Sequence, residues 1–295
     1  MAGSKLKRQH VDLLDLLASA HSNIPILSRE KHDYALRVVM SDKENAPVRT
    51  KQILGIRFFD GSAEEAVTYA ARHGGLIVAP AAPSLVALQY DEEYRRAICD
   101  ADLAIADSGW MVLFWRIFSG QRLTRISGLT FLKRLLDLPD AREFGKIFWV
   151  LPSEVAKAKT LSWLATRGFA ATADDCYVAP RYQDLVEDRA VLEVLRNRRP
   201  AHIVIAVGGG MQDKLGLYLK ENLAYRPAID CLGAALGFLT GDQVAIPNWA
   251  DRFYLGWLLR LLSQPRIFIP RLWSARELPG LIIKFGRNLP PLRKR

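Results

Sequence analysis

From Lys51 onward the chain alternates short apolar runs of strand character with amphipathic runs of helical period, and this alternation most restricts its fold. The strand candidates are Ile53–Phe59, Leu76–Ala79, Leu103–Ala106, Lys146–Leu151, His202–Val207 and Ala228–Leu232. Between them, Ala63–Arg72, Leu85–Cys99, Val155–Thr166 and Leu185–Arg196 repeat apolar residues with the period of a helix. Ser62 and Glu65 have the spacing of a capping box, and Ser153 opens another helix. A βαβα order of this kind predicts a largely parallel sheet with helices on both faces, the Rossmann-like α/β class. Residues 1–48, mixed in charge and weakly periodic, read as an N-terminal extension. Residues 49–243 read as the α/β domain, and 244–295 as a C-terminal helical appendage.

Composition narrows the class. The chain has 295 residues, half of them hydrophobic and 24% charged, with a net charge of +10. That is ordinary globular make-up with ample material for a core. From Arg260 to Arg295 there are nine Lys or Arg against one acidic residue, Glu277, a bias that suits an anionic partner. No run approaches the ~18 apolar residues that span a bilayer, and Asp12 and Asp15 spoil any signal peptide after the basic start. The expected place is therefore the cytoplasm. Cys99, Cys176 and Cys231 are too far apart for a metal or redox pair and read as buried free thiols. The five histidines form no metal-binding spacing, so no zinc site is expected.

Three stretches bear on chemistry. In Ala101-Asp-Leu-Ala-Ile-Ala-Asp-Ser-Gly109 an apolar run ends in the carboxylate of Asp107. At the carboxyl end of a strand, such a group can cap the next helix or take a proton from a substrate hydroxyl. Ile203-Val-Ile-Ala-Val-Gly-Gly-Gly210 leads a strand into a glycine turn before a helix. That turn is either a plain tight turn or a seat for a diphosphate on backbone N–H groups. It lacks the Rossmann dinucleotide spacing, and no P-loop occurs anywhere. Asp251–Leu262 is apolar around most of a helical circumference, with basic residues following. It fits a core helix with a solvated tail, or an appendage that closes a site and rests on lipid headgroups.

In order along the chain, the blocks resemble the WecG/TagA/CpsF family, glycosyltransferase family 26. Leu76-Ile-Val-Ala-Pro-Ala-Ala-Pro83 through Asp107, and on to Arg125-Ile-Ser-Gly128, is similar to that family's T-x-N, A-D-L-x-x-x-D-G and R-x-x-G blocks. Val207-Gly-Gly-Gly-Met-Gln-Asp213 is similar to its G-x-P-x-Q-E turn, and Pro247, Trp249, Trp257, Arg260 and Pro265-Arg266 fall as in its C-terminal appendage. The resemblance implies a sheet of the GT-E type. It also implies inverting transfer of a sugar from a UDP-sugar donor to a polyprenyl-diphosphate-linked acceptor at the inner membrane face, without a metal or other cofactor. Asp107 then matches the catalytic base and Gln212 a residue beside the reacting sugars. Gly208 and Gly209 match the phosphate-facing turn, and Tyr177 the nucleoside pocket. Ser108 and Arg125 fall to substrate binding. Arg260, Arg266 and Arg271 match the arginines that neutralise the departing UDP. The implied partners are the two substrates and an anionic membrane surface, with a homo-oligomer left open.

The departures from the family pattern are specific. Ala79 and Ala81 stand for Thr and Asn, Ser108 interrupts the D-G pair, and Gly210 and Asp213 replace the proline and glutamate of the glutamine turn. Gly237 and Gly256 replace two further acidic residues. They point to a divergent branch with another sugar or acceptor. The competing reading is a non-catalytic UDP-sugar-binding paralogue. Nucleic-acid binding is disfavoured, because the basic residues interleave with Leu, Ile and Pro and no recognition motif is present.

Overall fold

The computed structural model describes residues 48–183, 186–241 and 265–293. Residues 1–47, and 242–264 with Pro247, Trp249, Trp257 and Arg260, lie outside the described residues, as do 184–185. The described strands are β1 (Thr50–Ile53), β2 (Ile56–Phe59), β3 (Gly75–Val78), β4 (Leu103–Ala104), β5 (Ile147–Leu151), β6 (Cys176–Val178), β7 (His202–Ile205) and β8 (Ala228–Cys231). They form one sheet in the order β1-β2-β4-β3-β8-β7-β5-β6. Only the β1–β2 pair is antiparallel.

β3, β5, β7 and β8 are buried along their whole length. Strands covered on both faces need no polar side, which is why β3 and β5 appear in the sequence as unbroken apolar runs. β7 and β8 each bury one polar residue, and these pair, His202 Nδ1 lying 2.9 Å from Asp230 Oδ2. Side chains of period two then divide the core. Leu76, Val78, Phe148, Val150, Ile203 and Ile205 enter one layer, while Ile77, Ile147, Trp149, Leu151 and Val204 enter the other.

Helices cover both layers. Over the first lie α2 (Ala82–Ala87), α3 (Glu92–Cys99), α4 (Gly109–Ser119), α7 (Arg189–Arg198) and α8 (Met211–Asn222). Over the second lie α1 (Ala63–His73), α5 (Gly128–Leu136), α6 (Glu154–Thr166) and α9 (Ala235–Leu239). The capping box of Ser62 and Glu65 is formed, and Ser153 caps α6.

Several expectations need correction. Ile53–Phe59 is a hairpin rather than one strand, turning at Leu54 (φ 50) and Gly55 (φ 82). A Cβ on Gly55 would come within 2.6 Å of Leu289, so the turn is tight against the C-terminal segment. Leu85–Cys99 is broken into α2 and α3, because the Asp91 carboxylate accepts from Tyr94 N–H and starts a new helix. The helix expected from residue 185 begins at Arg189, where Asp188 caps it. Cys99 is exposed rather than buried; Cys176 and Cys231 are buried as expected.

At the C-terminus, α10 (Pro265–Ser274) contacts α2, and α11 (Leu278–Phe285) packs on α2 and α4. The segment after α11 is strapped down. Leu54 and Gly55 N–H donate to the carbonyls of Gly286 and Arg287, each at 2.9 Å, and Arg293 N–H donates to the Gln89 carbonyl at 2.8 Å. The main chain here is thus tied to the domain, while the basic side chains of Lys284, Arg287 and Arg293 remain exposed. Among the described residues no helix is long and apolar enough to cross a membrane.

Candidate active site

In a parallel sheet the carboxyl ends of the strands open a crevice that ligands use. Here that edge carries Ala79 and Ala81 after β3, Asp107 after β4, the glycine turn after β7 and Gly233 after β8.

Asp107 does not cap the helix that follows it. Ser108 does: its buried hydroxyl accepts from Met111 N–H at 3.1 Å. The Asp107 carboxylate instead points back to α5, where Oδ1 accepts from Gly128 N–H at 3.0 Å. Gly128 is the first residue of α5, so the carboxylate sits at the positive end of that helix. Arg125 Nε donates to the Asp107 carbonyl at 3.0 Å, and Ile126 N–H to the Ala106 carbonyl at 3.2 Å. Arg125 and Gly128 therefore hold the Asp107 backbone and side chain, which gives the R-x-x-G spacing a physical reason. Asp107 is half-buried, and its Oδ2 accepts no hydrogen bond among the described residues. One oxygen is fixed and the other is open.

The contact chain continues to β8. A Cβ on Gly128 would stand 3.1 Å from the Leu232 carbonyl oxygen, so glycine lets α5 approach the strand end. Next to Leu232, Gly233 has φ +59, and a Cβ there would lie 3.3 Å from Gln212 Oε1. Gln212 is 6% exposed; its Nε2 donates to the Cys231 carbonyl at 3.3 Å, and Oε1 has no partner among the described residues. Asp107 and Gln212, 105 positions apart by their numbers (212 − 107), are thus linked through Gly128, Leu232 and Gly233. Gly233 was not singled out from the sequence. Its only signal there was a glycine directly after a strand.

Gly208, Gly209 and Gly210 have φ of +83, +40 and +81, a left-handed run that side chains disfavour. A Cβ on Gly208 or Gly209 would meet open space, so the glycines serve the backbone course rather than packing. Gly210 is the N-cap of α8 and offers no side-chain acceptor, so the N–H groups at the start of that helix, apart from that of Asp213, which its own carboxyl engages, are left for a ligand.

Tyr177 lies elsewhere. It stands on edge strand β6, five strand positions from β4 and so about 24 Å away at about 4.8 Å per strand. Its hydroxyl donates to both Asp188 oxygens, at 3.1 and 3.0 Å, and that of Tyr182 donates to Asp188 at 2.7 Å. Burial, then the Asp188 carboxylate, pushes the Tyr177 phenol up to about 12. The half-buried ring packs on the first core layer, and the hydroxyl is engaged by Asp188.

Of the appendage arginines, Arg266 is exposed on α10; Arg271 belongs to the same helix, and Arg260 lies outside the described residues. Ala81 is the N-cap of α2 and gives no side-chain cap bond, where an Asn would give one. Exposed apolar side chains gather on helices next to the site: Leu113, Ile117 and Phe118 on α4, Ile269 and Trp273 on α10, and Ile283 on α11. Among the described residues no three His, Cys, Asp or Glu side chains form a metal-binding group.

An open α/β sheet whose carboxyl edge holds a half-open carboxylate and a glycine-led helix start has the layout of a group-transfer enzyme. The chain belongs to the glycosyl transferase WecG/TagA/CpsF family, whose family model matches residues 51–295. It is also similar to the N-acetylglucosaminyldiphosphoundecaprenol N-acetyl-beta-D-mannosaminyltransferase of Bacillus spizizenii. The two are 23% identical over 229 residues, which covers 74% of this chain and 85% of that protein.

Proposed function

We propose that the protein moves a hexose or N-acetylhexosamine from a UDP-sugar to a polyprenyl-diphosphate-linked sugar, with inversion, in the synthesis of a surface polysaccharide. The observation that carries this reading is the Asp107 carboxylate, fixed through Oδ1 by Gly128 N–H and open at Oδ2. The acceptor hydroxyl gives its proton to Oδ2 as its oxygen attacks the anomeric carbon. The new C–O bond forms on the face opposite UDP, and the old one breaks with its electron pair leaving on UDP. Gln212 orients the sugars. The N–H groups at the start of α8, with Arg260, Arg266 and Arg271, neutralise the developing diphosphate charge, a role guanidinium groups fill by bidentate contacts. This needs no metal.

The name of the Bacillus spizizenii relative gives its acceptor as N-acetylglucosamine on diphosphoundecaprenol. A similar acceptor would keep this protein at the cytoplasmic face of the membrane. The exposed apolar side chains of α4, α10 and α11, among basic residues such as Arg116, Arg276 and Lys284, suit an anionic lipid surface.

A second reading has one observation behind it. Ala79 and Ala81 remove two polar side chains from the β3 end of the crevice, as in a paralogue that binds UDP-sugar without turnover. Incubation with a polyprenyl-diphosphate-linked N-acetylglucosamine and a panel of UDP-sugars, with and without EDTA, separates the two. Transfer from one donor, unaffected by EDTA, is expected. UDP-sugar binding with no transfer to any lipid-linked acceptor would favour the paralogue.

A further inference from the structure

Beneath the glycine turn lies a carboxyl group that the proposed transfer does not use. Asp213, the third residue of α8, is 3% exposed, and its Oδ1 has no hydrogen-bond partner among the described residues. An ionised carboxylate left without donors in an apolar interior is costly. The Tyr94 side chain on α3 is likewise buried, with Ser84 of α2 beside its hydroxyl, and its ring faces Gly210, where a Cβ would come within 3.5 Å.

Beyond its own main-chain N–H, the surroundings of Asp213 offer little compensation. On α3 it faces Tyr94, with Asp91 at that helix's cap, and on β8 the Cys231 thiol. β3 contributes apolar Leu76 and Val78 to this layer. Lys214, next along α8, turns its ammonium to Asp91 at 2.9 Å and Glu93 at 3.7 Å. Burial therefore pushes the Asp213 carboxyl up to about 8, with its own main-chain N–H opposing in part.

We propose that Asp213 is a positioning residue that admits the donor's diphosphate to the turn only while it carries its own proton. This rests on the reading of the glycine turn as the diphosphate seat. A helix N-terminus attracts an anion through its free N–H groups. A carboxylate in the same turn, screened little by water, cancels that attraction. As a neutral acid, Asp213 leaves the positive end of α8 for the ligand. When it releases its proton to solvent, the diphosphate meets a like charge and must restore that proton to bind.

The test is UDP affinity against pH, by calorimetry on the full chain, with uridine as a phosphate-free comparator. With Asp213 titrating at about 8, UDP affinity should fall about tenfold between about pH 7 and about pH 9. Uridine affinity should lack that fall; the titration of the uracil ring affects both ligands alike. Asp213→Asn, which imitates the neutral acid, should keep the neutral-pH UDP affinity and remove the difference between UDP and uridine. If that variant does not fold, the comparison of UDP with uridine in the natural chain carries the test alone. A pH-independent UDP affinity, an equal fall for uridine, or a fall that persists in Asp213→Asn overturns the proposal. Absence of UDP binding at every pH would instead overturn the diphosphate seat, and this inference with it.

Discussion

Gly128→Ala adds one methyl group at the joint between Asp107, α5 and β8. That methyl would stand 3.1 Å from the Leu232 oxygen and 3.6 Å from Ala235 Cβ. A C–H···O contact prefers ~3.3–3.6 Å, so the first turn of α5 must retreat by a few tenths of an ångström. Two stability effects oppose each other. Alanine in a helix is better than glycine by about 0.5–1 kcal/mol, while overpacking costs about 1–3 kcal/mol. The net loss is at most about 2.5 kcal/mol, or a fall in Tm of up to about 10 °C for a unit of this size. Function should suffer more. The retreat draws Gly128 N–H away from Asp107 Oδ1, now at 3.0 Å. A hydrogen bond to a charged group contributes about 1.5–3 kcal/mol, which is roughly 10- to 100-fold in rate if it is needed in the transition state. The assay is kcat and UDP affinity beside a thermal melt. We expect kcat to fall at least about tenfold with UDP affinity unchanged. Gly120→Ala is the control: its φ of +68 strains a side chain, but open space surrounds it, so stability alone should drop. Wild-type kcat in Gly128→Ala would refute the claim that this N–H positions the base.

Three further outcomes are expected. Ala81→Asn supplies the missing cap of α2 and should raise stability by about 0.5–2 kcal/mol, read from a urea midpoint. Arg266→Ala, at an exposed position, should weaken UDP binding by about 1.5–3 kcal/mol in calorimetry and leave Tm unchanged. Asp102 is held below the usual carboxylate range: burial opposes this, but Lys220, Leu76 N–H and Arg226 outweigh it. A depressed carboxyl stabilises the fold above its unfolded pKa, and that stability is lost as pH falls through the folded value. Asp102→Asn should therefore cost about 1–3 kcal/mol at neutral pH, and the difference should vanish in acid urea titrations below the folded pKa of Asp102.

The central strands were legible because burial on both faces demands continuous apolar runs, as at Leu76–Val78 and Ile203–Ile205. The hairpin at Ile53–Phe59 was not, since both its strands are apolar and its turn begins with Leu54, a residue that rarely takes positive φ. Edge strand β6 was too short to announce itself, with three residues. Asp107 stood out as a lone carboxylate ending an apolar run. The helix cap fell to Ser108, a choice made by local geometry that both side chains could have satisfied. What Gly128, Gly233 and Tyr94 do depends on contacts with Leu232, Gln212 and Gly210, far along the chain, and no local pattern encodes them.

The most direct test of the account is Asp107→Asn, nearly isosteric, with the rate of sugar transfer and UDP affinity measured on the same sample. The amide can still accept from Gly128 N–H through its oxygen, so the fold and UDP binding should be kept. It cannot take the acceptor's proton, and the rate should fall by about 10²–10⁴-fold. Transfer at the wild-type rate by a folded Asp107→Asn protein would contradict the assignment of Asp107 as the base.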